Sequence, residues 1–271
     1  MNRQPPNAVA PTLVPGAIAR RAGTPFALEW APPLRLLIEE PPSPDPDPDP
    51  VALGLCRRHR AFSDRIASAQ QGGVLLVQGL DEARLLACLA QEAVGPNLLH
   101  AQSVHLLARL VRDHGWQPLV RRAGTFQAAF VVPHQSPLHS LAETRGARFL
   151  MPPRQASAAG LACAALRRAG IDAPRVHHLS YAQTVLAMVA SGAYDVAVAD
   201  LRDVPEGWGR VLAITPPVAD ACLAASPEVA PDLAQAVVES LLAPRDEAPG
   251  PQQWVRASVG EYLALLALLD D

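Results

Sequence analysis

Hydrophobic and polar positions run along this chain with two different periods, and the switches between them mark out strands and helices. From Val51 onward, short apolar runs trade places with stretches in which apolar residues recur every three to four positions. Val51–Cys56 predicts a strand, Phe62–Gln70 a helix and Gly73–Gln78 a strand. Asp81 is the expected cap of a helix over Glu82–Gln91, with Leu85, Leu86 and Leu89 on one face. Asn97–His100 predicts a strand. Ser103 then caps a helix over Val104–Asp113, whose apolar stripe is Val104, Leu107, Leu110 and Val111 and whose stop is Gly115. Further strands are expected at Pro118–Arg121 and Phe126–Val132.

The most regular stretch is Ala147–Leu201, where two strand–serine–helix units are followed by a third strand. Ala147–Met151 leads past Pro152-Pro153 to Ser157 and the Ala-rich helix Ala158–Arg168, closed by Gly170. Arg175–Leu179 leads to Ser180-Tyr181 and the helix Ala182–Ala190, closed by Gly192. The third strand, Tyr194–Val198, ends at Ala199-Asp200. Serine at a helix start accepts a first-turn N–H. Two such starts on one side of a parallel sheet turn spare donors and positive dipole ends toward a common crevice, a place for a small anion. Beyond Gly209, Arg210–Ile214 and Ala221–Ala225 are expected strands, Pro231 opens a helix to about Ala243, and a last helix runs from about Gln253 to Leu269. That last helix carries an apolar stripe of Val255, Val259, Leu263 and Leu266. Strand–helix alternation of this kind points to an α/β fold with parallel sheets covered on both faces.

Residues 1–50 break the pattern. Prolines recur, and Pro41–Pro50 reads PPSPDPDPDP, an extended tract of self-repelling aspartates. The stretch therefore reads as an extension ahead of the fold, with Leu34–Ile38 as an apolar island able to dock on the body or on a partner.

Composition narrows the chemistry. Of 271 residues, 49% are hydrophobic and 18% charged, enough for a sizeable core in two lobes, and the net charge of -3 offers no basic field for nucleic acid. All 23 basic residues are arginines. That excludes a Schiff-base lysine and a P-loop lysine. Cys56, Cys88, Cys163 and Cys222 lack CxxC spacing, so neither a zinc site nor a disulfide framework is expected. His177-His178 sends its imidazoles to opposite faces of a strand, which argues against a metal. No run is long and apolar enough for a membrane span. Without an N-terminal secretory pattern the chain as written is expected in the cytoplasm, or in the periplasm if the true start lies upstream.

The blocks from Val51 to Ala243 resemble the type II periplasmic binding proteins, specifically the phosphate/phosphite/phosphonate-type substrate-binding family. The resemblance is carried by Phe126–Val132 with Ser136-Pro137-Leu138 and Ser140-Leu141-Ala142. It continues through Gly146-Ala147-Arg148-Phe149, the Ser157–Gly170 helix, Leu179–Asp195 (LSYAQTVLAMVASGAYD) and Arg210–Pro216. It implies a two-lobed α/β clamshell with two crossing hinge strands, lobe one being residues 51–130 plus 214–271 and lobe two residues 131–213. It also implies a ligand cradle at Arg154-Gln155-Ala156-Ser157, a second helix start at Ser180-Tyr181, and an aspartate at Asp200. Facing loops would hold Arg57 and Arg58, and Gln102 and Ser103. Where the family has a hydroxyl-rich turn, this chain keeps Ser157 and adds Arg154.

The residues themselves leave alternatives open. Arg154 offers a planar fork to a phosphonate or carboxylate, or is a solvated loop residue. Ser157 and Ser180 are helix caps that also have a donor to give, and Tyr181 stacks on a ligand or packs between lobes. Arg57 and Arg58 are ligand contacts or a solvated patch. The leading expectation is a non-catalytic, cofactor-free solute-binding protein clamping a small anionic or polar ligand, with an ABC permease or a pathway protein as partner. The rivals are a cytoplasmic enzyme of the same fold, for which Asp200 with Tyr181 or His178 is the nearest acid–base pair, and an interaction protein with a degenerate cleft.

Overall fold

The island at Leu34–Ile38 is not a docked tail. In the computed structural model Leu34–Glu39 (β2) is an inner parallel strand. It pairs on one side with Leu75–Leu80 (β3), Leu34 opposite Leu75, and on the other with Asn97–Ala101 (β4), Arg35 opposite Asn97. Leu36, Leu37 and Ile38 are fully buried. A strand apolar on both faces is what a sheet covered on both sides requires, so the core begins ahead of the Pro/Asp tract. The structure describes residues 12–13, 34–39, 60, 62–70, 75–80, 85, 87, 89, 97–154, 156–179, 182–244 and 253–270. The strand expected at Val51–Cys56 and most of the helix expected after Asp81 lie outside the described residues.

The chain divides into two units, residues 1–100 with 224–249, and residues 101–223 with 250–271. In the first, Thr12–Leu13 (β1) adds antiparallel to β3. A helix over 62–69 (α1) packs beside a later helix of the same unit, Pro231–Leu242 (α5): Arg65 donates to the carbonyls of Ser240 and Ala243, and Ser240 Oγ returns a bond to Arg65 O at 2.8 Å. Proline at the first position of α5 costs no hydrogen bond, because that N–H has no partner in a helix.

The second unit opens with helix α2 (Val104–His114). All four residues of its stripe are buried, and Gly115 at φ 67° turns the chain out. Gln117–Arg122 (β5) pairs antiparallel with Trp254–Arg256 (β14), and Thr125–Phe126 (β6) with Val218–Ala219 (β12); the strand expected at Ala221–Ala225 is Cys222–Ala225 (β13). The main sheet takes Ala128–Val132 (β7), Arg148–Met151 (β8), Arg175–His178 (β9), Val196–Asp200 (β10) and Arg210–Ile214 (β11), in the order β11-β7-β10-β8-β9. β8, β9 and β10 are parallel, and β7 alone is reversed, pairing antiparallel with β10 on one side and with β11 on the other. The sheet is therefore mixed. Helices α3 (Ser157–Arg168) and α4 (Ala182–Ala190) cover it around Phe130 and Phe149, whose rings meet edge to face at 6.3 Å.

The C-terminal segment differs from the single long helix expected. Trp254–Arg256 is strand β14, and helix α6 (Val259–Asp270) begins only after Ser258. Ser258 and Glu261 explain the boundary: Glu261 Oε2 accepts the Ser258 N–H at 2.8 Å and its hydroxyl at 3.1 Å, as at a capping box. Its buried face is Tyr262, Leu265 and Leu266, while Val259 and Leu263 are exposed. Strand β14 breaks the helical phase that had placed those two on the packing side. α6 lies against α2 and α3, and Arg167 and Arg168 at the end of α3 donate to its last carbonyls, Leu269 and Leu268.

Candidate functional site

Parallel strands end on a common edge, and whatever follows them is gathered there. With Leu150 opposite Ala197 and Met151 opposite His178, the chain leaving β8 enters the Arg154–Ser157 turn, and the chain leaving β10 reaches Asp200. A cavity of about 480 Å³ bordered by Pro133, Leu138, Ala147, Gly192 and Asp195 opens at the other end, where β8 and β10 begin. It is remote from the expected crevice.

The first correction concerns Ser157. It does not cap its own helix; Ala156 is the N-cap residue, in an extended conformation, and Ser157 is the first helical residue. Its hydroxyl turns instead to the start of α2. It accepts the Val104 N–H at 3.1 Å and donates to Gln102 O at 3.1 Å. The starts of α2 and α3 thus meet through one buried hydroxyl, and neither helix carries an acidic residue in its first turn. Two positive dipole ends converge without an internal counter-charge, which favours an anion. Ser103 is the N-cap residue of α2 and is buried beside this contact, without a side-chain capping bond. Gln102 is exposed and lends its carbonyl to Ser157. Arg154 is exposed, with no hydrogen-bond or ion-pair partner among the described residues.

Of the expected site residues, the structure thus brings together Gln102, Ser103 and Ser157, with Arg154 on the same turn and Asp200 on the same sheet edge. Arg57, Arg58, Gln155, Ser180 and Tyr181 lie outside the described residues.

Asp200 is occupied by a neighbour that the sequence reading missed. Its carboxylate caps the short 3₁₀ turn Leu201–Asp203 by accepting the Arg202 N–H at 3.0 Å. It also takes the Arg202 guanidinium side-on, Nε at 3.0 Å and Nη2 at 2.6 Å. Nη1 reaches Asp220 at 2.5 Å, and the other Asp220 oxygen accepts the Ala221 N–H at 2.7 Å. The guanidinium lies over the Phe126 ring, 5.7 Å from its centre. Hydrogen bonding to Asp200, then to Asp220, holds Arg202 still further above its ordinary range. Burial, and secondarily Asp200, pushes the Asp203 carboxyl upward. The Asp-x-Arg spacing of Asp200 and Arg202 was visible in the sequence. Asp220 was not, because β11 and β12 intervene.

The nearest acid–base pairing of the enzyme alternative is not assembled by the residues described. His178 Nδ1 sits 2.7 Å from Pro152 O, while Asp200 is held by Arg202. His177 packs at a tilt against Tyr194, ring centres 5.3 Å apart. Among the described residues no three His, Cys, Asp or Glu side chains are grouped to hold a metal, and no helix is long and apolar enough to cross a membrane.

Comparison with known proteins bears on the family and the fold. Residues 98–257, more than half of the chain, match the model of a family described as ABC transporter, phosphonate, periplasmic substrate-binding protein. No curated protein matches the sequence. Among solved structures, PhnD1 from Prochlorococcus marinus in complex with methylphosphonate aligns at TM-score 0.62 and 14% identity, over 87% of this chain and 96% of that one. A binding-protein component of an ABC phosphonate transporter from Pseudomonas aeruginosa aligns at 0.61 and 13% identity, over 87% and 85%. A Xanthomonas citri protein bound to ATP aligns at 0.62 and 17%, over 77% and 82%. At these identities the structures establish a shared mixed α/β periplasmic-binding-protein fold.

Proposed function

The chain belongs to the family of periplasmic phosphonate substrate-binding proteins of ABC transporters, and from that premise we propose that it captures a small organophosphorus anion at the meeting of α2 and α3. The observation that carries this reading is the Ser157 hydroxyl bridging Gln102 and Val104, which aims two helix N-termini without acidic residues at one place. Arg154, exposed and on the same turn, supplies a fork matched to a phosphonate's oxygens. Ser157 already spends its single donor on Gln102 O, so an anion seated there takes that bond over while Ser157 keeps the Val104 N–H. Gln155, Ser180, Tyr181, Arg57 and Arg58 complete the set by resemblance.

Closure is proposed as a hinge motion at the paired strands β7 and β11, with residues 131–213 forming one lobe and residues 51–130 plus 214–271 the other. The protein would act in the periplasm and hand its ligand to an ABC permease without turning it over. Titration calorimetry with methylphosphonate, inorganic phosphate and methanesulfonate tests the reading. Binding of the phosphonate, weakened about tenfold or more by Arg154→Ala, is expected. Absence of heat with all three anions would overturn it.

A further inference from the structure

An unpaired aspartate at the carboxyl edge of a sheet can recruit a positive group, because a carboxylate and a ligand ammonium form a charge-assisted hydrogen bond. In this chain that attraction is cancelled from within. Both Asp200 oxygens are engaged by Arg202, side chain and backbone together. The same guanidinium reaches Asp220, whose side chain is only 9% exposed.

We propose that Arg202 sets the charge requirement of the crevice, so that it takes small phosphonates without a cationic group and rejects those bearing an amine. This rests on the reading that Asp200 and the α2–α3 meeting point share one ligand. Three observations support the assignment. First, the contact is a planar fork, which fixes the guanidinium more tightly than a point charge would be fixed. Second, Arg202 is anchored at three places: Asp200, Asp220 and the face of Phe126. It is therefore not free to swing away and expose Asp200. Third, a guanidinium carries five N–H donors, of which Nε and one on each terminal nitrogen are spent on the two carboxylates. Two donors remain on a side chain 51% exposed. The edge position that would have offered a ligand an acceptor thus offers donors instead. Asp220, the second carboxylate on this guanidinium, is nearly buried and also accepts the Ala221 N–H.

The test is a calorimetric comparison of methylphosphonate with 2-aminoethylphosphonate on the full chain. The natural protein should prefer methylphosphonate by about tenfold or more, the cost of seating an ammonium that has lost water and finds no acceptor. Arg202→Gln frees Asp200 and should shift the preference toward the amine by a similar factor. Asp200→Asn combined with Arg202→Gln should abolish that shift, since no carboxylate is left to recruit the amine. If circular dichroism shows Arg202→Gln unfolded, Arg202→Lys serves in its place: it keeps the charge, loses the fork and should narrow the preference. Equal or tighter binding of the amine by the natural protein, or a ratio unmoved by the folded Arg202 variant, would overturn the proposal. Failure of both phosphonates to bind would remove the underlying reading and this one with it.

Discussion

Gly209 is where the paired strands β7 and β11 are least able to tolerate a side chain. A Cβ placed there would lie 2.2 Å from the Val132 carbonyl oxygen and 3.1 Å from its carbon. Ordinary carbon–oxygen contacts begin near about 3.3 Å, so Gly209→Ala demands roughly 1 Å of separation between two backbones. The neighbouring pair, Arg210 opposite Val132, closes this end of the ladder, and Val132 is fully buried. Opening it forfeits one or two backbone hydrogen bonds at about 1 kcal/mol each and leaves a buried carbonyl short of a partner at about 1–3 kcal/mol. Against this, alanine restricts the unfolded chain and returns about 0.4–1 kcal/mol. The net expectation is a loss of about 2–4 kcal/mol, or about 5–10 °C in Tm for a chain of this size. Urea unfolding followed by circular dichroism measures it. Gly260→Ala is the control: nothing lies within 4 Å of its added methyl, in the first turn of α6. It should be neutral or stabilising by up to about 1 kcal/mol. The sign at position 209 decides the matter: if Gly209→Ala is as stabilising as Gly260→Ala, the close approach of β7 and β11 is refuted.

His105 supplies a pH dependence. Burial, with the Arg109 charge as the lesser cause, lowers its pKa from 6.5 to about 4, and its Nδ1 has no hydrogen-bond partner among the described residues. Between those values the unfolded imidazole binds a proton that the folded one refuses, so stability is complete above pH 6.5 and declines as pH falls toward 4. The decline should reach at most about 3 kcal/mol, and His105→Leu should flatten it in acid unfolding curves. Ser157→Ala strips the Val104 N–H of its acceptor in a buried place; a loss of about 1–2 kcal/mol should accompany weaker methylphosphonate binding, and an unchanged affinity would separate Ser157 from the ligand. Glu261→Ala removes both the Ser258 contacts and the Arg121 ion pair at 2.9 Å. About 1–2 kcal/mol should be lost, with thermal denaturation as the readout.

Much of the second unit was legible in the sequence, because its strands and helices are bounded by local chemistry. The helix Ala182–Ala190 and the apolar stripe of α2 match expectation, since Gly and Ser boundaries sit within a few residues of the elements they delimit. The misses share a cause. β2 was read as a tail because the proline tract after it dominates composition, while its partners β3 and β4 lie some 40 and 60 residues downstream. The start of α6 was readable in the Ser-x-x-Glu spacing of Ser258 and Glu261, but the apolar run ahead of it, paired to β5, masqueraded as helix. At the site, serine's preference for helix starts placed Ser157 at the start of α3, though one residue past the cap position it was expected to fill. Which helix its hydroxyl serves is a tertiary fact, as is the partnership of Asp200 with Asp220 through Arg202.

The position of β2 also bears on how this protein can be handled. A fragment trimmed at Val51, the boundary that composition suggests, would remove a strand flanked on both sides and leave β3 and β4 with facing, unsatisfied edges. Such a gap accepts any extended segment in parallel register, including Leu34–Glu39 from an intact neighbour. Shortened versions would then be prone to strand exchange or to insolubility, while a cut just ahead of Leu34 would cost the sheet only its short edge strand β1 and keep β2 between its two partners.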